Sequence, residues 1–247
     1  MQRGIAAASL ALVGAITLAA CAANGGDESI LVLKNVLPGA GCMVTPGESE
    51  TGVARGAVDV QFHTGYEFFA QVKSRITATT TQVDQRTIVT RGANVDITFA
   101  DRTVFTDAEL ADFKTKNLVH FMSPFSVPIA PNDSIVDVDF ELVPAELVAA
   151  IATKMRPAVA LQTTFKVVGD LSGGDVSSQS FSYSVQVVSS GFRRDNGACA
   201  NLSTSFVPKV GNSCNPGQDG VVDCCTMPDR NNPAVTRFVC PAVGTKT

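Results

Sequence analysis

The chain has 247 residues, 45% of them hydrophobic, with 19 basic and 23 acidic side chains for a net charge of −4. The mildly acidic balance and the lack of a basic patch make nucleic acid an unexpected partner. The length suits one cored domain with an appendage.

Residues 1–20 have the layout of a secretory signal: a single early positive charge at Arg3, then an uncharged run over 5–20 rich in Ala, Leu, Ile and Val. A run of that length is shorter than the roughly 20 residues a helix needs to span a bilayer, so it reads as a removable signal peptide. It closes on Leu18-Ala19-Ala20-Cys21. An aliphatic residue, two small ones and a cysteine resemble the lipobox of bacterial lipoproteins. The resemblance covers residues 1–21 and implies cleavage before Cys21, acylation of that cysteine and a palmitate-type membrane anchor. An ordinary signal peptide with an incidental cysteine is the plainer alternative. Ala22 stands where an inner-membrane retention signal would carry Asp, which points to the outer membrane, with the periplasmic or surface face open. Residues 21–29 form a short polar tether.

Residues 30–190 are written largely in period two. Val58, Val60 and Phe62 alternate with polar residues, as do Val95, Ile97 and Phe99. Val136, Val138, Phe140 and Leu142 alternate with Asp137, Asp139 and Glu141; Phe181, Tyr183, Val185 and Val187 alternate with Ser and Gln. Such alternation predicts strands with one buried and one wet face. Further strands are expected over 30–36, 67–76, 86–90, 118–123 and 159–168, separated by breaks such as "RGAN" and "GDLSGGD". Thr106-Asp107-Ala108-Glu109 is a capping-box pattern that predicts a short helix. Pro144 opens a second one running to about Met155, with Leu147, Val148 and Ile151 on its apolar stripe. The fold class expected is mainly β: an antiparallel β-sandwich with one or two short helices.

From Gly191 the periodicity fades and Gly, Pro, Asn and Cys accumulate, so residues 191–247 read as a disulfide-pinned cap. With Cys21 given to lipid, Cys42, Cys199, Cys214, Cys224, Cys225 and Cys240 form an even set in an exported chain, which predicts disulfides. Six cysteines allow 15 pairings. Adjacent Cα atoms lie too close for a Cys224–Cys225 bond, leaving twelve, and Cys42 pairs with one of the C-terminal five. The spacings lack the tight cysteine pairs of zinc sites.

The chemistry-bearing residues are sparse. "GDLSGGD" differs from the Gly-Asp-Ser-Gly-Gly stretch of chymotrypsin-like proteases by the inserted Leu171, which displaces the oxyanion-hole backbone, and reads as a turn. His63 and His120, the only histidines, read as structural. Arg193-Arg194 reads as a solvated loop. Asp137, Asp139 and Glu141 would share one strand face roughly 6.5–7 Å apart, a weak Ca²⁺ candidate whose ordinary reading is a solvated sheet face. No cofactor is implied. The mature portion, with "SGGDVSSQSFSYSVQV" and "CNPGQDGVVDCC", also resembles cysteine-bearing envelope lipoproteins of Gram-negative bacteria, a group with no assigned function. The expectation is a non-enzymatic binding or accessory module of the cell envelope, with an envelope protein or an external ligand as partner. Two alternatives are a hydrolase using acidic residues and a periplasmic assembly factor working by edge-strand pairing.

Overall fold

The computed structural model describes residues 28–42, 44, 52–79 and 86–240. It is mainly β, with about half of the chain in strands and two short helices. Ten strands form one sheet: β1 (Glu28–Asn35), β2 (Gly56–Asp59), β3 (Tyr66–Ser74), β4 (Ile88–Phe99), β5 (His120–Pro124), β6 (Pro128–Ile129), β7 (Ile135–Val143), β8 (Ala158–Leu171), β9 (Gly174–Ser178) and β10 (Phe181–Val188). The tail adds β11 (Arg193–Ala198), β12 (Val222–Pro228) and β13 (Thr236–Val239) as a separate three-stranded sheet.

The large sheet turns on β8. One edge of β8 pairs with β4; the other pairs first with β10 and then with β9, so the sheet divides there. From β9 it continues through β1 and β3 to β7. The β3–β7 end meets the β8–β10 end across the core. Phe68 of β3 is fully buried, with ring centroids 5.0 Å from Phe165, 4.9 Å from Tyr183 and 5.6 Å from Phe140. A second aromatic group, Phe99, Phe105 and Phe113, packs around helix α1 (Asp107–Thr115), with centroids 5.0 Å and 4.8 Å apart.

The alternating runs fold as strands with their apolar sides inward: Val138, Phe140 and Leu142 are buried on β7, and Tyr183, Val185 and Val187 on β10. Pairing is mixed, because β1–β9, β2–β10 and β11–β12 run parallel. Alternation records which side is wet and carries no strand direction, so the parallel pairs left no mark on the pattern.

Three local expectations are corrected. "RGAN" is no turn: β4 runs straight through it, and Gly92 (φ +149°) sits at a register shift, a bulge where a Cβ would lie 2.5 Å from the Ser123 carbonyl oxygen. The strand expected through Val60 and Phe62 stops at Asp59, whose carboxylate accepts the Gln61 N–H at 2.9 Å and starts a 3-10 turn over Val60–Phe62. Arg193 and Arg194 lie on a strand, β11. "GDLSGGD" does form a hairpin, between β8 and β9, with Ser172 and Gly173 both at positive φ (51° and 85°) as a two-residue type I′ turn requires.

Both helices form where their signals lie. Thr106 Oγ1 accepts the Glu109 N–H at 3.3 Å, and the Glu109 carboxylate accepts the Thr106 N–H at 2.9 Å. Lys154 at 2.6 Å helps to hold that carboxyl down at about 2. Pro144 precedes α2 (Ala145–Ala152), which buries Leu147, Val148 and Ile151.

All six cysteines expected in bridges are paired: Cys42–Cys214, Cys199–Cys225 and Cys224–Cys240. The first joins the front of the large sheet to the tail across 172 residues. The other two cross-link the small sheet, each taking one of the adjacent cysteines of β12.

Candidate functional site

A cluster of buried polar side chains lies where residues 212–219 of the tail dock against β2 and β3. Cys214 carries its disulfide to Cys42, and the chain then turns through Pro216 and Gly217. A Cβ on Gly217 (φ +82°) would lie 2.3 Å from the Phe62 ring, so only glycine admits this approach. Gln218, fully buried, uses its amide as a strand partner for β3. Its Oε1 accepts the Glu67 N–H at 2.9 Å and its Nε2 donates to the Glu67 carbonyl at 2.6 Å. Asn215 donates to the Gly65 carbonyl at 2.8 Å.

Asp219 ends the docking segment. One carboxylate oxygen accepts the Ala57 N–H at 2.7 Å; the other accepts the Tyr66 hydroxyl at 2.8 Å. The only two tyrosines of the chain meet here, with hydroxyls 3.0 Å apart. Asn35 donates to both, at 3.0 Å and 2.9 Å, and accepts the Phe69 N–H at 3.0 Å. Because Tyr66 gives its proton to Asp219, the remaining hydrogen in the row runs from Tyr183 to Tyr66. Burial pushes the Asp219 carboxyl above its ordinary value, and burial with the adjacent Asp219 charge pushes Tyr66 up far more. A tyrosine so held keeps its proton and makes no nucleophile. Every group in the row is partnered, which is the condition for a buried polar network to add stability.

Two clefts flank this network on either side of residues 52–55. One, of about 290 Å³, is lined by Lys34, Asn35, Val53, Phe181 and Tyr183. The other, of about 430 Å³, is lined by Arg55, Gln186, Phe192, Asp219 and Val221. Asn35 and Tyr183 face the first and Asp219 the second, so the hydrogen-bonded row joins the two.

The residues singled out from the sequence lie elsewhere. Cys21 falls outside the described residues. His63 is exposed and ends the 3-10 turn with φ 55°. His120 Nδ1 lies 2.6 Å from the Asp96 carboxylate, an exposed cross-strand pair on β5 and β4 at 73% and 61% exposure, and it lines neither cleft. Thr164 is the next residue across from Asp96 on β8. The order His–Asp–Thr therefore leaves the imidazole at the end of the row, where a nucleophilic triad needs it in the middle.

Asp137, Asp139 and Glu141 do not converge. Glu141 turns to the start of α2, where its carboxyl accepts the Ala145 N–H; burial pushes that carboxyl up, and the charges of Glu146 and Glu67 add to the effect. Pro144 offers no side-chain cap, so Glu141 supplies one. Among the described residues no group of three or more His, Cys, Asp or Glu side chains is arranged to hold a metal ion.

Sequence reasoning missed Asn35, Tyr66, Tyr183 and Gln218. Asp219 was seen only as part of a turn, and nothing in its context marked it as a partner of Tyr66. The one available signal was the presence of just two tyrosines, each facing inward on a strand. No family model, no curated protein and no solved structure matches the chain.

Proposed function

We propose that the protein is a lipid-anchored module of the bacterial cell envelope, tethered through Cys21, that binds a partner rather than catalysing a reaction. The observation that carries this reading is Leu18-Ala19-Ala20-Cys21 at the end of an uncharged run that starts after Arg3. Three disulfides support it, since such bonds persist in oxidising compartments outside the cytosol. Acyl chains contribute about 0.8 kcal/mol per buried CH₂, enough in combination for stable anchoring. Ala22 favours the outer membrane.

On this reading residues 1–20 are removed, 21–29 are the tether, 30–190 are a β-sandwich built from the facing ends of the large sheet, and 191–247 are its cap. Binding ranks ahead of hydrolysis because the one carboxylate lining either described cleft, the half-buried Asp219, already serves Ala57 and Tyr66. The working surface on this reading is a sheet edge or end loop, where sandwich domains present function.

Metabolic labelling with an alkyne fatty acid tests the anchor. Label should enter the wild-type chain and be lost in Cys21→Ser; equal labelling of both would refute it. Protease shaving of intact cells, with a permeabilised control, then decides the face. Loss from intact cells would favour capture of external ligands, and loss only after permeabilisation would favour a periplasmic partner.

A further inference from the structure

The outer edge of the small sheet has the features of a docking site. β13 is its terminal strand, and all four residues, Thr236 to Val239, are exposed. Its inner edge pairs antiparallel with β12, matching Met227 with Arg237 and Pro228 with Thr236. In the same register the Asp229 N–H donates to the Val235 carbonyl at 2.7 Å. Hydrogen-bonded and non-hydrogen-bonded pairs alternate along an antiparallel ladder. The bonded pairs are therefore those of Val235, Arg237 and Val239, and the backbone N–H and C=O groups of Thr236 and Phe238 point away from β12. Pro228, which has no N–H to give, sits opposite Thr236 at a non-bonded position, as this assignment requires.

The side chains at this edge pair cations with apolar groups. The Arg193 guanidinium lies 3.9 Å from the centroid of the Phe238 ring, and Arg237 Nη2 lies 3.7 Å from the Met227 sulfur. Phe238, Val239, Met227 and Val235 are 37–51% exposed. Neither Arg193 nor Arg237 has a carboxylate partner among the described residues, whereas neighbouring Arg194 is bound by both oxygens of Asp223.

We propose that β13 is a β-addition site for an extended acidic segment of a partner protein, which pairs with Thr236 and Phe238 and sets its carboxylates against Arg193 and Arg237. Charge selects this occupant over a second copy of the chain. Antiparallel pairing of two β13 edges through Thr236 and Phe238 would set Arg237 directly against its own copy, and like charges in that position oppose pairing. Main-chain bonds supply affinity in this mode, and side chains supply selectivity. The proposal rests on the binding-module reading, but fatty-acid labelling of Cys21 is indifferent to β13, so the two fail independently.

The test uses the full, oxidised chain and two fluorescein-labelled hexapeptides, one repeating Val-Glu-Glu and the other Val-Lys-Lys so that charges face both sides of the sheet, read by fluorescence anisotropy. The acidic peptide should bind, more weakly as salt rises, and the basic one should bind at least tenfold less well. Thr236→Pro removes an outward N–H without touching a bond to β12 and should weaken acidic-peptide binding at least tenfold. The pair R193E and R237E should shift preference to the basic peptide, a readout independent of how well the proline variant folds. Equal binding of the two peptides, or an unchanged preference in the charge-reversed variant, would overturn the proposal. So would self-association abolished by Thr236→Pro, which would assign the edge to a second copy.

Discussion

The two sheets are held together by different means. In the large one, Phe68 is enclosed by four aromatic rings, those of Phe140, Phe165, Phe181 and Tyr183. In the small one, the described residues include only two fully enclosed apolar side chains, Val222 and Cys224, while all of β13 lies open. Two disulfides and the Arg194–Asp223 pair stand in for the missing core. Asp223 is buried to within 1% of full enclosure, and Arg194 holds its carboxyl far below the ordinary range. A short segment with little apolar surface to bury reaches a defined structure only when other constraints reduce the freedom of its unfolded state.

That contrast can be broken at the joint. Replacing both Cys42 and Cys214 by Ser should have the largest effect, about 5 kcal/mol in the chain-entropy model for a closure of this length. Denaturant unfolding should then lose its single transition, with the tail separating first. One unaltered transition would mean that the polar contacts of residues 212–219 suffice alone. Phe68→Ala should cost about 4 kcal/mol through the cavity left among four rings, measured by urea unfolding with the disulfides intact.

Smaller changes separate polar docking from covalent docking. Asp219→Asn keeps the left-handed backbone (φ 54°) but turns an acceptor into a donor against Tyr66 or Ala57. The expected loss is about 2 kcal/mol, and a neutral result would show that the row adjusts freely. Thr106→Ala, which removes the cap of α1, should cost about 1 kcal/mol.

Stability should depend on pH with one sign for Asp223 and Glu109, one from each region, and with the opposite sign for Asp219 at the joint between them. Asp223 and Glu109 have lowered folded pKa values, so their contributions are present above the ordinary carboxyl range and fade as pH falls, for Glu109 between 4.5 and about 2. Asp219 has a raised one, so its contribution is present below that range and is lost as pH rises through its folded pKa. Stability measured against pH should show Asp223→Asn flattening the acid limb and Asp219→Asn removing the decline on the other side.

Much of the large sheet is legible in the chain. The runs containing Val138 and Tyr183 form strands in the expected orientation, the capping box at Thr106 starts a helix, and Ser172-Gly173 makes the hairpin. Failures came where a single local contact redirected the backbone. Asp59 capped a 3-10 turn in mid-pattern, and the close approach of Ser123 made Gly92 a bulge. The candidate site was hidden for a different reason. Asn35, Tyr66, Tyr183 and Asp219 come from four places as far as 184 residues apart, and each looks ordinary among its neighbours.

The sequence by itself determined the mainly β class, the two helices, the inward faces of the strands and the participation of six cysteines in bridges. These follow from periodicity, capping and parity, which act over a few residues or on composition. Only the tertiary structure decided the parallel pairings, the disulfide partners, the hydrogen-bonded position of Asp219 and the place of β13 at the edge of its sheet among the described residues. Each depends on which distant segments meet, and local pattern is blind to that because side-chain alternation is the same whichever strand lies alongside.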